Sequence, residues 1–313
     1  MGCLDIPCRS ICSPFCGAGI QSLRCRLERI AIIGLGLIGG SLALALKRSA
    51  AIEAEIVGFS HRSETVTRAE GSGIIDRAAG DMPSAVEGAD LVVIATPVMT
   101  VREVLERISG HVSPQCVVTD TGSTKAEIMR WAAEYLPRNI SFIGGHPMAG
   151  KETSGIDESD PDLFRGCVYC LSPAPNATPG AVQTLEMLVK SIGATPFFID
   201  PDEHDKLVAG VSHLPMLLSA AFVSSTMASS SWPEMAKLAA GGYRDLSRLA
   251  SGNPGMNRDI CLSNREEIIR WIDRYLDELK EYRRLIEEDA EGLRDALARA
   301  QEARQRWLQE ESW

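Results

Sequence analysis

The stretch Arg29 to Ser49, "RIAIIGLGLIGGSLALALKRS", decides the fold. It opens as a short apolar run, which reads as a buried strand. It then turns through Gly34, Gly36 and Gly39 in a GxGxxG arrangement, and it closes as a helix. A second strand, "AEIVGFS" (54–60), follows roughly 20 residues on, which is the context this motif requires. The first glycine permits the tight turn. The second lets a pyrophosphate approach the backbone, and the third allows close helix–strand packing. Leu37 and Ile38 occupy the helix N-terminus, which faces the phosphates. The turn therefore reads as a dinucleotide site; the alternative is a turn that serves packing alone.

Beyond this stretch, strand and helix patterns alternate. "ADLVVIATP" (89–97), "CVVTDTGS" (116–123), "NISFIGGHP" (139–147), "CVYCLSP" (167–173) and "TPFFID" (195–200) read as strands, with helices over 100–108, 124–136 and 180–191. Short strands separated by helices predict a parallel sheet with crossover helices. The fold class is α/β: a Rossmann-type dinucleotide-binding domain over 29–200, followed by an all-α domain over 201–313. In such a sheet ligands bind beyond the carboxyl ends of the strands. Ser60, His61 and Arg62 end the second strand, with no carboxylate at Ser60 to repel a 2′-phosphate and an arginine to bind one. NADP is favoured over NAD; the alternative for His61 and Arg62 is a solvated turn. Thr96 and Pro97 in "ATPV", and Asp120 in "DTGS", are expected on the cofactor side. Ser123 also has the option of capping the helix that begins near Thr124.

"FIGGHPMAGKETSG" (142–155) carries four glycines in fourteen residues, a poor helix and a poor strand, and reads as a glycine loop around one histidine. Following the strand "NISFI", it should hang over the same sheet edge. His146 there is placed to take a hydroxyl proton while hydride leaves the same carbon for the cofactor. The alternative is a loop histidine hydrogen-bonded for structure.

A net charge of −10 offers no basic face for nucleic acid, so an anionic ligand must be met by a few local cations. Five of the nine cysteines, Cys3, Cys8, Cys12, Cys16 and Cys25, fall in residues 1–28, which read as a disordered tail without metal-site spacing. Cys167 and Cys170 lie three apart in a strand and should face opposite ways. The remaining thiols suit a reduced, cytoplasmic protein, and no metal site is expected. After Asp200 the strands stop. "DEHDKLVAGVSHLPMLLSAAFVSSTMA" (202–228) is apolar almost all round and should be a buried helix kinked at Pro215, with a membrane span disfavoured by His213 and its serines. Ile268, Ile272, Tyr275, Leu279, Tyr282 and Ile286 form a seam on the last helix. It suits either a homodimer interface or packing within its own domain.

Taken together, "GLGLIGGS", "DTGSTK", "GGHPMAGKETSG", "SHLP" and "GGYRDLSRLASGNPGMNRDICLSN" resemble, in order and spacing, the prephenate/arogenate dehydrogenases of tyrosine biosynthesis, from about Arg29 to about Glu288. The resemblance implies oxidative decarboxylation of an anionic cyclohexadienol, with hydride passing to NAD(P)+. It implies that His146 is the catalytic histidine and that Ser123 hydrogen-bonds near it and the substrate hydroxyl. Arg248 is implied to bind a substrate carboxylate, Glu152 and Asp245 to stand near the entrance, and His213 to line the substrate pocket. The chain departs from the family at Met216, where many members have a second histidine. Lys151 adds a spare cation beside the anion site, and the absent acidic residue at Ser60 bears on the cofactor. No regulatory domain is expected after Trp313. Two other readings are a β-hydroxyacid-type dehydrogenase, which the loop histidine argues against, and a non-catalytic NADP-sensing protein.

Overall fold

The computed structural model describes residues 27–310. The amino-terminal tail and its five cysteines lie almost wholly outside them. The first half runs β1 (Arg29–Ile33), α1 (Leu37–Arg48), β2 (Glu55–Phe59), α2 (Ser63–Gly71), β3 (Arg77–Ala78), α3 (Met82–Val86), β4 (Leu91–Ile94), α4 (Val98–Ile108), β5 (Val117–Asp120), α5 (Ala126–Tyr135), β6 (Ser141–Pro147), β7 (Val168–Pro173), α6 (Pro179–Ser191) and β8 (Thr195–Phe198). They build one 8-stranded sheet in the order β3-β2-β1-β4-β5-β6-β7-β8. The order reverses between β1 and β4, which opens a crevice above their carboxyl ends. Side chains alternate across the sheet: Ile30 and Ile32 enter one core, Ala31 and Ile33 the other. With helices covering both faces, the strands carry continuous apolar runs.

Two features differ from the sequence reading. β3 was missed because it spans only two residues and carries no apolar run. The sheet is also not wholly parallel, since β6 and β7 pair antiparallel, His146 opposite Cys170. β6 pairs with β5 only through Ile143 and then overshoots it. Residues 144–147 are therefore strand, paired with β7 alone, and they carry His146 past the end of β5.

The second half is helical: α7 (Pro201–Val208), a π-helical turn (Ala209–His213), α8 (Leu214–Met227), α9 (Trp232–Leu238), α10 (Gly241–Ser247), a 3-10 turn (Arg248–Ser251), α11 (Pro254–Ser263), α12 (Arg265–Glu288) and α13 (Ala290–Glu310). The expected long helix is interrupted at the π turn, just before Pro215. The proline thus falls in the first turn of α8, where its missing N–H matters least. The expected burial does not hold within one chain, because only Leu214 and Ser219 of α8 are buried. The α12 seam behaves alike: Ile268 is buried while Tyr275, Leu279 and Ile286 are exposed. By length and composition Pro201–Met227 would suffice to cross a membrane, with 28% of its most apolar window buried.

Candidate active site

The glycine turn has the geometry its residues predict. Gly34 has φ +104°, and a Cβ there would stand 2.4 Å from the Ala95 carbonyl oxygen. A Cβ on Gly39 would meet the Gly34 carbonyl at 1.9 Å, so that glycine serves helix–strand packing. Around Gly36 there is nothing within 4 Å, leaving space for a ligand. Gly36 precedes α1 without any side-chain cap, so the first-turn N–H groups are open to an anion. A groove of about 380 Å³ runs from Gly34 and Gly36 to Ser60, His61 and Arg62, past Thr96 and Pro97. The Thr96 hydroxyl is buried with no hydrogen-bond partner among the described residues, a free polar group at the place where the cofactor would lie. The residues present fit a dinucleotide.

The groove shares Gly36, Thr96 and Pro97 with a second cavity of about 560 Å³, which Leu37, Ile38, Ser123, His146, Lys151 and Glu152 also line. Ser123 and His146, from different strand ends, thus face one space continuous with the nucleotide groove.

His146 is not on a flexible loop. The glycines before it are small because the strand is crowded: a Cβ on Gly144 would lie 2.9 Å from Met129 Sδ, and one on Gly145 would lie 2.4 Å from the Asp120 carbonyl. Asp120, expected on the cofactor side, is instead fully buried and lines neither the groove nor the cavity. Its carboxylate accepts Gly122 N–H (2.7 Å) and Gly145 N–H (3.1 Å). Lys125 Nζ donates to that carboxylate and to the Gly145 carbonyl, and both charged side chains are fully buried. Burial pushes the Asp120 carboxyl up and the Lys125 ammonium down, while the contact between them acts in the opposite sense on both. The pair fastens the residues before Ser123 to the residue before His146.

From the helical half, α7 contributes the buried side chains of His204 and Asp205. His146 Nδ1 lies 2.9 Å from His204 Nε2, and His204 Nδ1 lies 2.7 Å from Asp205 Oδ1. Asp205 also accepts Lys125 N–H (2.7 Å) and Ala126 N–H (2.9 Å), so it caps α5. Ser123 does not have that role. Burial holds the His146 imidazole well below its ordinary pKa, and His204, Lys125 and His213 act in the same sense.

Three expected site residues stand outside the cavity, and a fourth lines it but is already paired. His213 does not line the cavity: it is buried behind it, 3.2 Å from the Asn264 amide, with Nε2 unpartnered among the described residues. Burial brings it down to about 4. Arg248 is exposed and does not line the cavity, but it is ion-paired to Glu152, which does. Asp245 is exposed on α10. Lys151 lines the cavity but is not spare, being 2.9 Å from Asp160. The residues that the sequence reading missed are Lys125, His204, Asp205 and Arg258. Arg258 lines the cavity and donates to the nearly buried Asp259 through Nε (3.0 Å) and Nη2 (2.7 Å). The signal for the first three was faint. "DTGSTK" and "DEHD" look like an ordinary turn and an acidic helix start, and only the fold brings them together.

The glycine groove and a buried imidazole open into one space, which is what a dinucleotide-dependent dehydrogenase requires, and the fold is the one that class uses. The profile for the nucleotide-binding domain of prephenate dehydrogenase matches residues 42–197, and that for its dimerization domain matches residues 200–299. The chain belongs to the prephenate dehydrogenase family of NAD(P)-dependent oxidoreductases. It is 37% identical to the prephenate dehydrogenase of Bacillus subtilis over 269 residues, 85% of this chain and 72% of that protein. It is 31% identical to the cyclohexadienyl dehydrogenase of Zymomonas mobilis over 282 residues, 88% and 95% of the two. Among solved structures, prephenate dehydrogenase from A. aeolicus in complex with hydroxyphenyl propionate and NAD+ matches with a TM-score of 0.83 at 30% identity, covering 90% of this chain and 98% of that one. Synechocystis arogenate dehydrogenase matches with a TM-score of 0.76 at 29% identity, covering 90% and 100%.

Proposed function

We propose that this protein oxidatively decarboxylates prephenate or arogenate. The observation that carries the reading is the meeting of Ser123 and His146 in a cavity continuous with the dinucleotide groove. The bound NAD(P)+ supplies the hydride acceptor. His146 takes the proton of the ring hydroxyl, and Ser123 donates or accepts a hydrogen bond at the same oxygen. As the carbon bearing that oxygen is oxidised, the bond to the ring carboxylate breaks. Its electrons flow through the ring to the oxygen, carbon dioxide leaves, and the ring becomes aromatic. Aromatisation drives the reaction, so the protein's contribution is alignment and exclusion of water. Turnover measured with prephenate and arogenate, each against NAD and NADP, tests this directly. Activity with neither acid would remove the reading in favour of a β-hydroxyacid-type dehydrogenase or an NADP-sensing protein.

The cofactor reading favours NADP. Arg62 stands exposed in the groove beside Ser60, where no carboxylate opposes a 2′-phosphate. Arg62→Ala is expected to lower the NADP-to-NAD ratio of kcat/KM by about tenfold, since one charge-assisted contact is lost. An unchanged ratio would refute the assignment.

Arg248 is read as the receptor for a substrate carboxylate at the cavity mouth, where Glu152 holds it. Arg248→Ala is expected to raise the substrate KM by about tenfold or more and the cofactor KM by less than about twofold. Equal effects on both would rule out contact with the substrate. Glu152 and Asp245 are read as charges near the entrance. The exposed apolar faces of α8 and α12 are read as covered by a second copy, giving a homodimer through the helices rather than a membrane span, in the cytoplasm.

A further inference from the structure

The hydrogen-bond run His146–His204–Asp205 goes deeper than the reaction chemistry requires. We infer that Asp205 and His204 are positioning residues that fix the tautomer of His146, leaving its Nε2 unprotonated toward the cavity. The inference rests on the reading of His146 as the proton acceptor.

Asp205 is 3% exposed, and its oxygens already accept two backbone N–H groups at the start of α5, which locates it rigidly. A carboxylate with those contacts only accepts, so the 2.7 Å approach of His204 Nδ1 places a proton on that nitrogen. A neutral His204 is then bare at Nε2. The 2.9 Å contact to His146 Nδ1 needs one proton, which must come from His146. The neutral His146 ring therefore carries its hydrogen on Nδ1, and Nε2 keeps its lone pair. No partner holds Nε2 among the described residues, and the ring lines the cavity that Ser123 shares. The rings lie edge to face, 5.1 Å between centroids at 70°, which directs an edge of one at the other.

The arrangement does two things for the reaction. It presents a lone pair where the substrate hydroxyl proton must go. Once that proton is taken, the imidazolium donates through Nδ1 to His204, whose own Nδ1–H remains on the Asp205 carboxylate. The new charge is thus met by a row of oriented dipoles ending in an anion. Asp205 sits on α7 of the helical half and caps α5 of the sheet half, so the same carboxylate also sets how the two halves dock.

Nitrogen-15 spectra of the full-length protein, labelled at histidine and recorded near pH 8, read the tautomer without any turnover. The expected result is a pyrrole-type Nδ1 and a pyridine-type Nε2 for His146, with its signals assigned by their loss in His146→Asn. A pyrrole-type Nε2 on His146, as a doubly protonated His204 would produce, overturns the inference. Two variants add a kinetic test. His204→Phe removes the acceptor while keeping a planar ring, and kcat is expected to fall about a hundredfold or more with both KM values within about threefold. His204→Gln restores a carbonyl acceptor near the old Nε2 and is expected to recover at least tenfold of that loss. Equal losses in the two variants, both still folded by circular dichroism, would mean that His204 only fills space, and the inference would fall. Because the spectra need no substrate, failure of the prephenate or arogenate assay remains a separate result.

Discussion

His146→Asn is expected to lower kcat by about 10³- to 10⁴-fold while the dinucleotide dissociation constant stays within about threefold. The histidine lines the cavity beyond the glycine groove, and nothing in the groove depends on its ring. Asparagine is small enough for a fully buried strand but neither accepts a proton at neutral pH nor reaches His204. Turnover within tenfold of the parent would remove the proton acceptor from the mechanism. The parent's pH profile gives a second measure. Burial depresses the imidazole well below its ordinary value of 6.5, so the active neutral form persists into acid. The acid limb of kcat/KM should therefore lie well below pH 6.5, and in His146→Asn the residual activity should lose that limb. The same depression has a stability consequence. A group whose folded-state pKa is lowered stabilises the fold above its unfolded pKa and loses that contribution as pH falls. For His213, brought down to about 4, the loss runs from about pH 6.5 downward.

Lys125→Met carries the largest expected effect on stability. The ammonium and the Asp120 carboxylate are both fully buried, and removing one leaves the other uncompensated. The expected destabilisation is about 3–5 kcal/mol in denaturant unfolding, moderated by the Gly122 and Gly145 N–H groups that still solvate the carboxylate. Activity should fall as well, by about tenfold or more, because the clamp between the β5 and β6 ends sets the distance from Ser123 to His146. Adding Asp120→Asn removes the stranded charge and should return part of the lost stability, a coupling that a double-mutant cycle measures. A cost below about 1 kcal/mol for Lys125→Met would show that water reaches the pair.

Much of the dinucleotide half was legible in the residues. Gly34, Gly36 and Gly39 announce a turn because positive φ, ligand space and helix packing each exclude a side chain at a known offset. Continuous apolar runs announce buried strands. Legibility declined where a strand carried no apolar run, as at Arg77–Ala78, and where glycines had a reason other than flexibility. Gly144 and Gly145 look like a loop by propensity. They are strand because Met129 and the Asp120 backbone leave no room for a Cβ. The apolar α8 predicted burial, yet its neighbours within the chain cover little of it. Hydrophobicity states that a face must be covered and is silent on which chain covers it.

The chemistry divides in the same way. That a glycine turn, a serine at one strand end and a histidine near another share one sheet edge is readable from the residue order, because strand polarity and motif spacing are local properties. What surrounds the histidine follows from the packing of the helices on the sheet. His204 and Asp205 lie 58 and 59 positions along the chain from it, Lys125 reaches the Gly145 carbonyl on the neighbouring strand, and Arg248 pairs with Glu152 on the cavity wall. Hydrogen-bond partners and desolvation depend on distances in space that chain separation does not encode, so they came into view only when the helices packed against the sheet.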